Sequence, residues 1–469
     1  MTEPDASSIA DSLTRLLGPQ GVSTDPEDLD AHSSDWSVSA FLARRSGRVG
    51  ARPLCVARPA STDEVAALLV WANETHHPIV PFGGGSGVCE AIVPDGAVVL
   101  DTARLQTIFE LDEKSRLVRC GAGTTGPQLA GYLDERGFFL GHAPQSLSIS
   151  TVGGWLATRA CGQLSARYGG IEDLVAGFEA VLAGGQIIRS KTVPRRSAGP
   201  DIASLLIGSE GTLGVITEAT LRIVPISRER TDLAASFDHM GEGVAACRGI
   251  AQSDLHPTLM RLYDREDTAI FFMGQEDAPA GPILLLSFDG KAHEGRARDA
   301  LAISRGRRAD SRWVELWWDH RNDAVDSYRD LLSGRGVLGP HGLVDTMEVS
   351  GTWSALRDLY HLMKETLSAE ADIVGCHLSH AYPDGACLYF TLASACPDED
   401  DAVERHSRWW EAGMSACLVA GGSISHHHGI GRLKARRLPE EIGGSWDALV
   451  AVKSALDPNG ILNPGALGL

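Results

Sequence analysis

Apolar positions recur at helical spacing near the start of the chain. Ile9, Leu13, Leu16 and Leu17 fall together before a Gly-Pro pair, so a short helix is predicted ahead of about Trp36. From Pro53 the pattern changes. Leu54-Cys55-Val56 reads as an apolar strand, and Ser61-Thr62-Asp63-Glu64 has the spacing of a capping box. That box opens a helix with Val65, Leu68, Leu69 and Ala72 on one face. A second strand, Pro78-Ile79-Val80-Pro81, runs straight into Phe82-Gly83-Gly84-Gly85-Ser86-Gly87-Val88. Strands are also predicted at 97–100 and 115–120, with a helix around 125–136. Strand, helix, strand and glycine loop in this order begin an α/β nucleotide-binding domain.

Gly83, Gly84, Gly85 and Gly87 can reach positive φ and turn several amide N–H groups toward one point, a nest for a phosphate oxygen. On this stretch alone a plain tight turn is an equal alternative. The loop has neither the Gly-Lys-Ser/Thr ending of a Walker motif nor the helix-opening spacing of a Rossmann motif. Two more small-residue stretches follow. The first, 144–155, carries Pro144, Ser146, Ser150, Thr151, Gly153 and Gly154, and continues through Thr158-Arg159-Ala160-Cys161-Gly162. The second, 208–217, carries Glu210, Gly211, Gly214, Val215 and Ile216. Glycines and hydroxyls in place of charge let a backbone approach a flat, partly apolar ligand closely. Three such loops, each beside strand-like sequence, are much more specific than one.

Composition narrows the partners. At 469 residues the chain exceeds the ~250–300 at which one core stops growing, so two or more domains are expected. A net charge of -19 without a basic patch argues against nucleic acid or an anionic membrane as the main partner. No run approaches the ~18 apolar residues of a membrane span, and a cytoplasmic protein is expected. Nine cysteines, an odd number with no Cys-x-x-Cys, argue against a disulfide framework and a cysteine zinc site.

Candidate chemistry concentrates at 423–434, where His426, His427 and His428 lie between Ser425 and Gly429-Ile430-Gly431. Imidazoles donate, accept or carry a proton near neutral pH. On an extended backbone neighbouring side chains alternate, so only His426 and His428 would share a face, which suits a chemical site better than zinc.

The order Pro-Phe-Gly-Gly-Gly-Ser-Gly (81–87), Ser-Thr-Val-Gly-Gly-Trp-Leu-Ala-Thr-Arg-Ala-Cys-Gly (150–162), Tyr-Gly-Gly-Ile-Glu-Asp-Leu-Val (168–175) and Gly-Ser-Glu-Gly-Thr-Leu-Gly-Val-Ile-Thr (208–217) resembles the FAD-binding domain of the vanillyl-alcohol oxidase family. Within it, the wording is most similar to the alkyldihydroxyacetonephosphate synthase branch. The resemblance implies an α+β fold, a two-subdomain FAD-binding domain with an α+β substrate cap. Its implied segments are an N-terminal helical stretch (1–50), the FAD-binding domain (51–227), the cap (228–425) and a C-terminal segment (426–469) that returns to the FAD domain. The loop residues named above would hold FAD, non-covalently because the first loop offers Ser86 where relatives carry an attachment residue.

Arg261, in Thr-Leu-Met-Arg-Leu-Tyr-Asp (258–264), and Arg329, in Tyr-Arg-Asp-Leu (328–331), resemble substrate-binding arginines of the synthase, and a guanidinium fork suits phosphate. Without the resemblance, a salt bridge is the commoner reading of each. Tyr382 matches the tyrosine proposed there for acid/base work, although Pro383 and Asp384 depart from the pattern, and His426 to His428 match a His-His-His-Gly segment. Metal-dependent 2-hydroxyacid dehydrogenases of the superfamily carry His-x-x-Asp-Gly-Asn-Leu-His and Glu-His-Gly. Here 381–388 has neither histidine and His427 replaces the glutamate, so no metal is expected. The implied activity is exchange of the acyl group of acyl-dihydroxyacetone phosphate for a fatty alcohol without net redox. The alternative is an FAD-dependent oxidoreductase acting on a hydroxyl-bearing small molecule such as a 2-hydroxy acid. Either way the substrate is a small or lipid-like molecule, and a homodimer remains open.

Overall fold

The computed structural model describes residues 6–48, 50–323, 330 and 332–469, with the backbone alone at Ala203. Strands β1 (Val22–Ser23), β2 (Cys55–Ala57), β3 (Ile79–Phe82) and β4 (Val98–Asp101) form a sheet in the order β1-β2-β4-β3. β2 and β3 both run parallel to β4, and the helix Thr62–Thr75 makes the crossover between them. Its start carries the predicted Ser61 cap, but the Glu64 side chain reaches back to Ala60 instead of closing the box on Ser61. Ser61 Oγ accepts from the Glu64 amide at 3.2 Å, and Glu64 Oε2 accepts from the Ala60 amide at 2.7 Å. Val65, Leu68, Leu69 and Ala72 are buried with Ile9, Leu13 and Leu17 of the helix Ala6–Leu17, while Leu16 is 39% exposed, off the packed face. Each large side chain buried in this way contributes about 1.5–3 kcal/mol before entropy is subtracted.

A second sheet is antiparallel throughout, in the order β5-β6-β10-β8-β9: β5 (Ile108–Asp112), β6 (Leu117–Gly121), β10 (Val215–Arg222), β8 (Val175–Val181) and β9 (Ile187–Arg189). Trp155 and Leu156, on the helix Val152–Thr158, pack into its core and so fix the second small-residue stretch against it. β7 (Phe138–Phe139) and β11 (Val224–Pro225) form a short separate pair.

The cap is built on a seven-stranded antiparallel sheet, ordered β15-β12-β14-β13-β17-β18-β16. Its members are β12 (Arg230–Ser236), β13 (Leu259–Tyr263), β14 (Ile283–Asp289), β15 (Arg307–Ala309), β16 (Leu343–Thr352), β17 (Ile373–Ala381) and β18 (Gly385–Ser394). Trp409 and Trp410 of the helix Glu399–Val419 join its main core. Beyond that helix the chain runs back to the first sheet. Ile79 N donates to Ile461 O at 2.7 Å, Asn463 N to Ile79 O at 2.8 Å, and Arg432 N to Cys89 O at 3.1 Å. The architecture is the α+β one implied by the sequence. No helix among the described residues is long and apolar enough to cross a membrane.

Candidate active site

A cavity of about 500 Å³ is lined by all three small-residue loops and by the cap sheet. The loops approach so closely that side chains do not fit. A Cβ on Gly84 would run into Ile149 O, and one on Gly83 into Thr151 Oγ1. Gly211, at φ 76°, would place a Cβ 2.8 Å from Pro81 Cγ. The amides of Gly84 to Gly87 donate to no other group among the described residues, which leaves a row of N–H donors beside the cavity. Such a nest is what a pyrophosphate needs, so these residues fit FAD.

Pro81, Gly83, Gly84, Gly85, Ser86, Gly87, Pro144, Ser146, Ser150, Thr151, Gly153, Gly154, Thr158, Ala160, Cys161, Glu210, Gly211, Gly214, Val215 and Ile216 all line this cavity. Arg159 does not. It sits in the left-handed region at φ 54°, past the helix end, with its side chain against Gly208. Glu210 links two loops as well as lining the cavity. Its carboxylate accepts from the Ile430 amide at 2.6 Å and the Gly431 amide at 2.8 Å, and burial pushes its pKa up to about 7.

On the cap side, the histidine run is not extended. Glu348, a fully buried carboxylate on β16, accepts from the His426 amide, from the His428 amide at 3.0 Å, from Ser425 Oγ at 2.9 Å and from the fully buried Lys434 Nζ at 3.1 Å. Folding two backbone amides onto one carboxylate bends the loop. The expected alternation of side chains is therefore lost, and the rings cluster with centroids 5.1 Å apart for His426 and His427 and 4.5 Å for His427 and His428. Burial opposes ionisation of Glu348, but Lys434 and the histidines hold its carboxyl well below the usual range. Burial likewise keeps the imidazoles neutral: His428 is pushed down to about 4, and His427 and His380 lie well below their ordinary value.

The four sequence-derived catalytic candidates divide. His427 and His428 line the cavity, whereas Tyr382 and His426 stand behind its wall. The Tyr382 hydroxyl lies 3.0 Å from His426 Nε2, 3.3 Å from Cys161 Sγ and 3.3 Å from Ser165 Oγ. His426 Nδ1 is 2.9 Å from His427 Nδ1, so hydrogen bonds run from the phenol to the cavity wall.

The segment 381–388 has no histidine, but His380 precedes it directly and joins the cluster. An irregularity in the β17–β18 pairing between Leu378 and His380 brings its ring to the cluster, one residue before the segment scanned, with Nδ1 2.6 Å from Ser165 Oγ. Two donor sets result, Glu348/Cys387/His426/His427 and Cys161/His380/His426. Glu348 is already committed to four donors, one of them an ammonium. Burial pushes the Cys161 thiol up to about 11 and the Cys387 thiol well above its ordinary value, so both are protonated thiols in the protein as it stands. The arrangement suits proton exchange better than a metal ion.

Arg261 of β13 also lines the cavity, its guanidinium 5.2 Å from the Trp317 ring centroid. Among the described residues no carboxylate forms an ion pair with it. Arg321, Tyr389 and His377 share this wall and were not singled out from sequence. Arg329 lies outside the described residues.

A model of the FAD binding domain matches residues 53–191, and one of the C-terminal domain of FAD-linked oxidases matches 226–467. An uncharacterized FAD-linked oxidoreductase of Escherichia coli strain K12, YgcU, is 32% identical, covering 98% of each chain. The alkyldihydroxyacetonephosphate synthase of Caenorhabditis elegans is 30% identical, over 91% of this chain and 77% of its own. A solved alkyldihydroxyacetonephosphate synthase superposes with a TM-score of 0.79 at 25% identity, covering 99% of this chain and 85% of the other. With both family models matched over this cradle and cap, the chain belongs to the FAD-linked oxidases.

Proposed function

We propose that this chain is an alkyldihydroxyacetonephosphate synthase-like enzyme that replaces the acyl group of acyl-dihydroxyacetone phosphate with a fatty alcohol, without net redox. The observation that carries the reading is the buried, neutral hydrogen-bonded series His427–His426–Tyr382, on the same cavity as Arg261. Arg261 would grip the phosphate with a bidentate fork. His427, neutral and on the wall, would take the proton released beside the reacting carbon. Nδ1 of His426 and then the Tyr382 hydroxyl lie behind it and hold the proton network in place, so that the proton His427 takes from one substrate can be handed back by His427 to the departing carboxylate. Non-covalent FAD, held by the three loops, supplies a ring that can lend and recover an electron pair.

A second reading, an FAD-dependent oxidoreductase acting on a hydroxyl-bearing small molecule, is favoured by the relative matched over 98% of both chains, which is named an oxidoreductase. The two readings part on a substrate panel. Purified holoenzyme is supplied in parallel with palmitoyl-dihydroxyacetone phosphate plus hexadecanol, and with 2-hydroxy acids plus an artificial electron acceptor. The synthase reading expects consumption in the first arm only, and turnover in the second arm alone would overturn it.

A further inference from the structure

His377 stands between a cation and a carboxylate that do not touch. Its Nε2 is 3.3 Å from Arg261 Nη1, and its Nδ1 is 2.6 Å from Asp267 Oδ2. Arginine has no lone pair to offer, so the ring nitrogen facing Arg261 must be the acceptor. The ring proton therefore sits on Nδ1 and is donated to Asp267. Burial favours this neutral form of the imidazole. The ring stacks on Tyr389, with centroids 4.8 Å apart, and meets Tyr263 at a tilt of 32°, 5.0 Å apart. Asp267 is fixed in turn, because its amide donates to Asp264 Oδ1 at 2.9 Å at the start of the helix Arg265–Phe271.

The consequence falls on Arg261. Direct contact with Asp267 would close the guanidinium fork in an ion pair. With the imidazole interposed, Nη1 donates to His377 Nε2 at 3.3 Å and, more weakly, to the Tyr263 hydroxyl at 3.5 Å, while buried Nε has no partner and Nη2 makes no hydrogen bond among the described residues. Such unspent donors on a cavity wall fit a phosphate or carboxylate oxygen pair.

We propose that Asp267 and His377 form a positioning relay that holds Arg261 open for the substrate's anionic group, His377 acting as a spacer that passes on the orientation but withholds the counter-charge. This rests on Arg261 as the anion grip of the proposed function.

The test is calorimetric titration of FAD-loaded enzyme with inorganic phosphate and, separately, acetate. The wild type is expected to show saturable binding of at least one, and Arg261→Met to abolish it. His377→Leu should weaken it roughly tenfold with flavin content and spectrum unchanged, the size of one lost charge-assisted hydrogen bond. His377→Gln should return to within about twofold of wild type, because its amide can donate to Asp267 and its carbonyl accept from Arg261. Wild-type affinity in His377→Leu would overturn the relay, as would equal weakness in Leu and Gln variants, which would make the ring a packing element. Unaltered binding in Arg261→Met, or none in the wild type, would overturn the grip and the relay together.

Discussion

The flavin cradle and the histidine cluster face one cavity but are built by contrasting means. The cradle is backbone: glycines and small hydroxyl residues whose amides do the binding, with few charges. The cluster is side chain: Glu348, Lys434, four histidines, a phenol and two thiols, buried or largely so and joined by hydrogen bonds and ring contacts. Backbone binding depends on local conformation. A buried polar cluster depends on every partner arriving from elsewhere in the chain, because an unpaired member costs its full desolvation.

Variants in the two regions should therefore fail differently. The largest effect is expected at the cradle, where Gly84→Val drives a side chain into Ile149 O and should abolish FAD retention. The measurement is flavin absorbance after purification, compared with wild type, whose FAD is expected to be released intact on acid precipitation. In the cluster, flavin should stay and chemistry should go. His427→Ala is expected to lower turnover by ~10²–10⁴, the usual size of an acid/base contribution. Tyr382→Phe, behind the wall, should cost only about tenfold, one hydrogen bond's worth. Equal losses in steady-state kinetics would place both groups at the substrate.

Glu348→Ala should be a stability variant first. It strands a buried ammonium and releases two loop amides, and breaking a buried ion pair costs about 3–5 kcal/mol. Chemical denaturation should show this loss, and adding Lys434→Met should recover part of it. The smallest effect is in pH dependence. Folded His428 has its pKa pushed down to about 4 from 6.5, so on acidification the unfolded chain takes up a proton first. Its contribution to stability is complete above pH ~6.5 and declines toward pH 4, by up to about 1.4 kcal/mol per pH unit. Denaturation midpoints at pH 7 and 5 should converge in His428→Asn relative to wild type.

The same contrast explains what the sequence disclosed. The Ser61 cap and the parallel β2–β4–β3 unit depend on neighbours within a few dozen residues and were legible, and the first glycine loop was legible from its own glycines, although it packs against Ile149 and Thr151. Glu348 binds a loop 78 residues away, and His380 enters through an irregular strand pairing. Neither carries a local signal, since Glu348 shares its strand with a second carboxylate, Asp345. His377 was hidden similarly, since Asp267 lies 110 residues before it. An extended histidine run was the natural local reading, and the carboxylate from the cap overrode it.

Redox-neutral exchange at this cavity is tested by anaerobic product analysis. Holoenzyme is incubated with palmitoyl-dihydroxyacetone phosphate and hexadecanol, with no oxygen and no electron acceptor, while flavin absorbance is followed and products are identified by mass spectrometry. The account predicts many turnovers, equal amounts of palmitate and ether product, and flavin still oxidised at the end. Conversion that halts after a single turnover with bleached flavin, or that proceeds only once an acceptor is added, would contradict it.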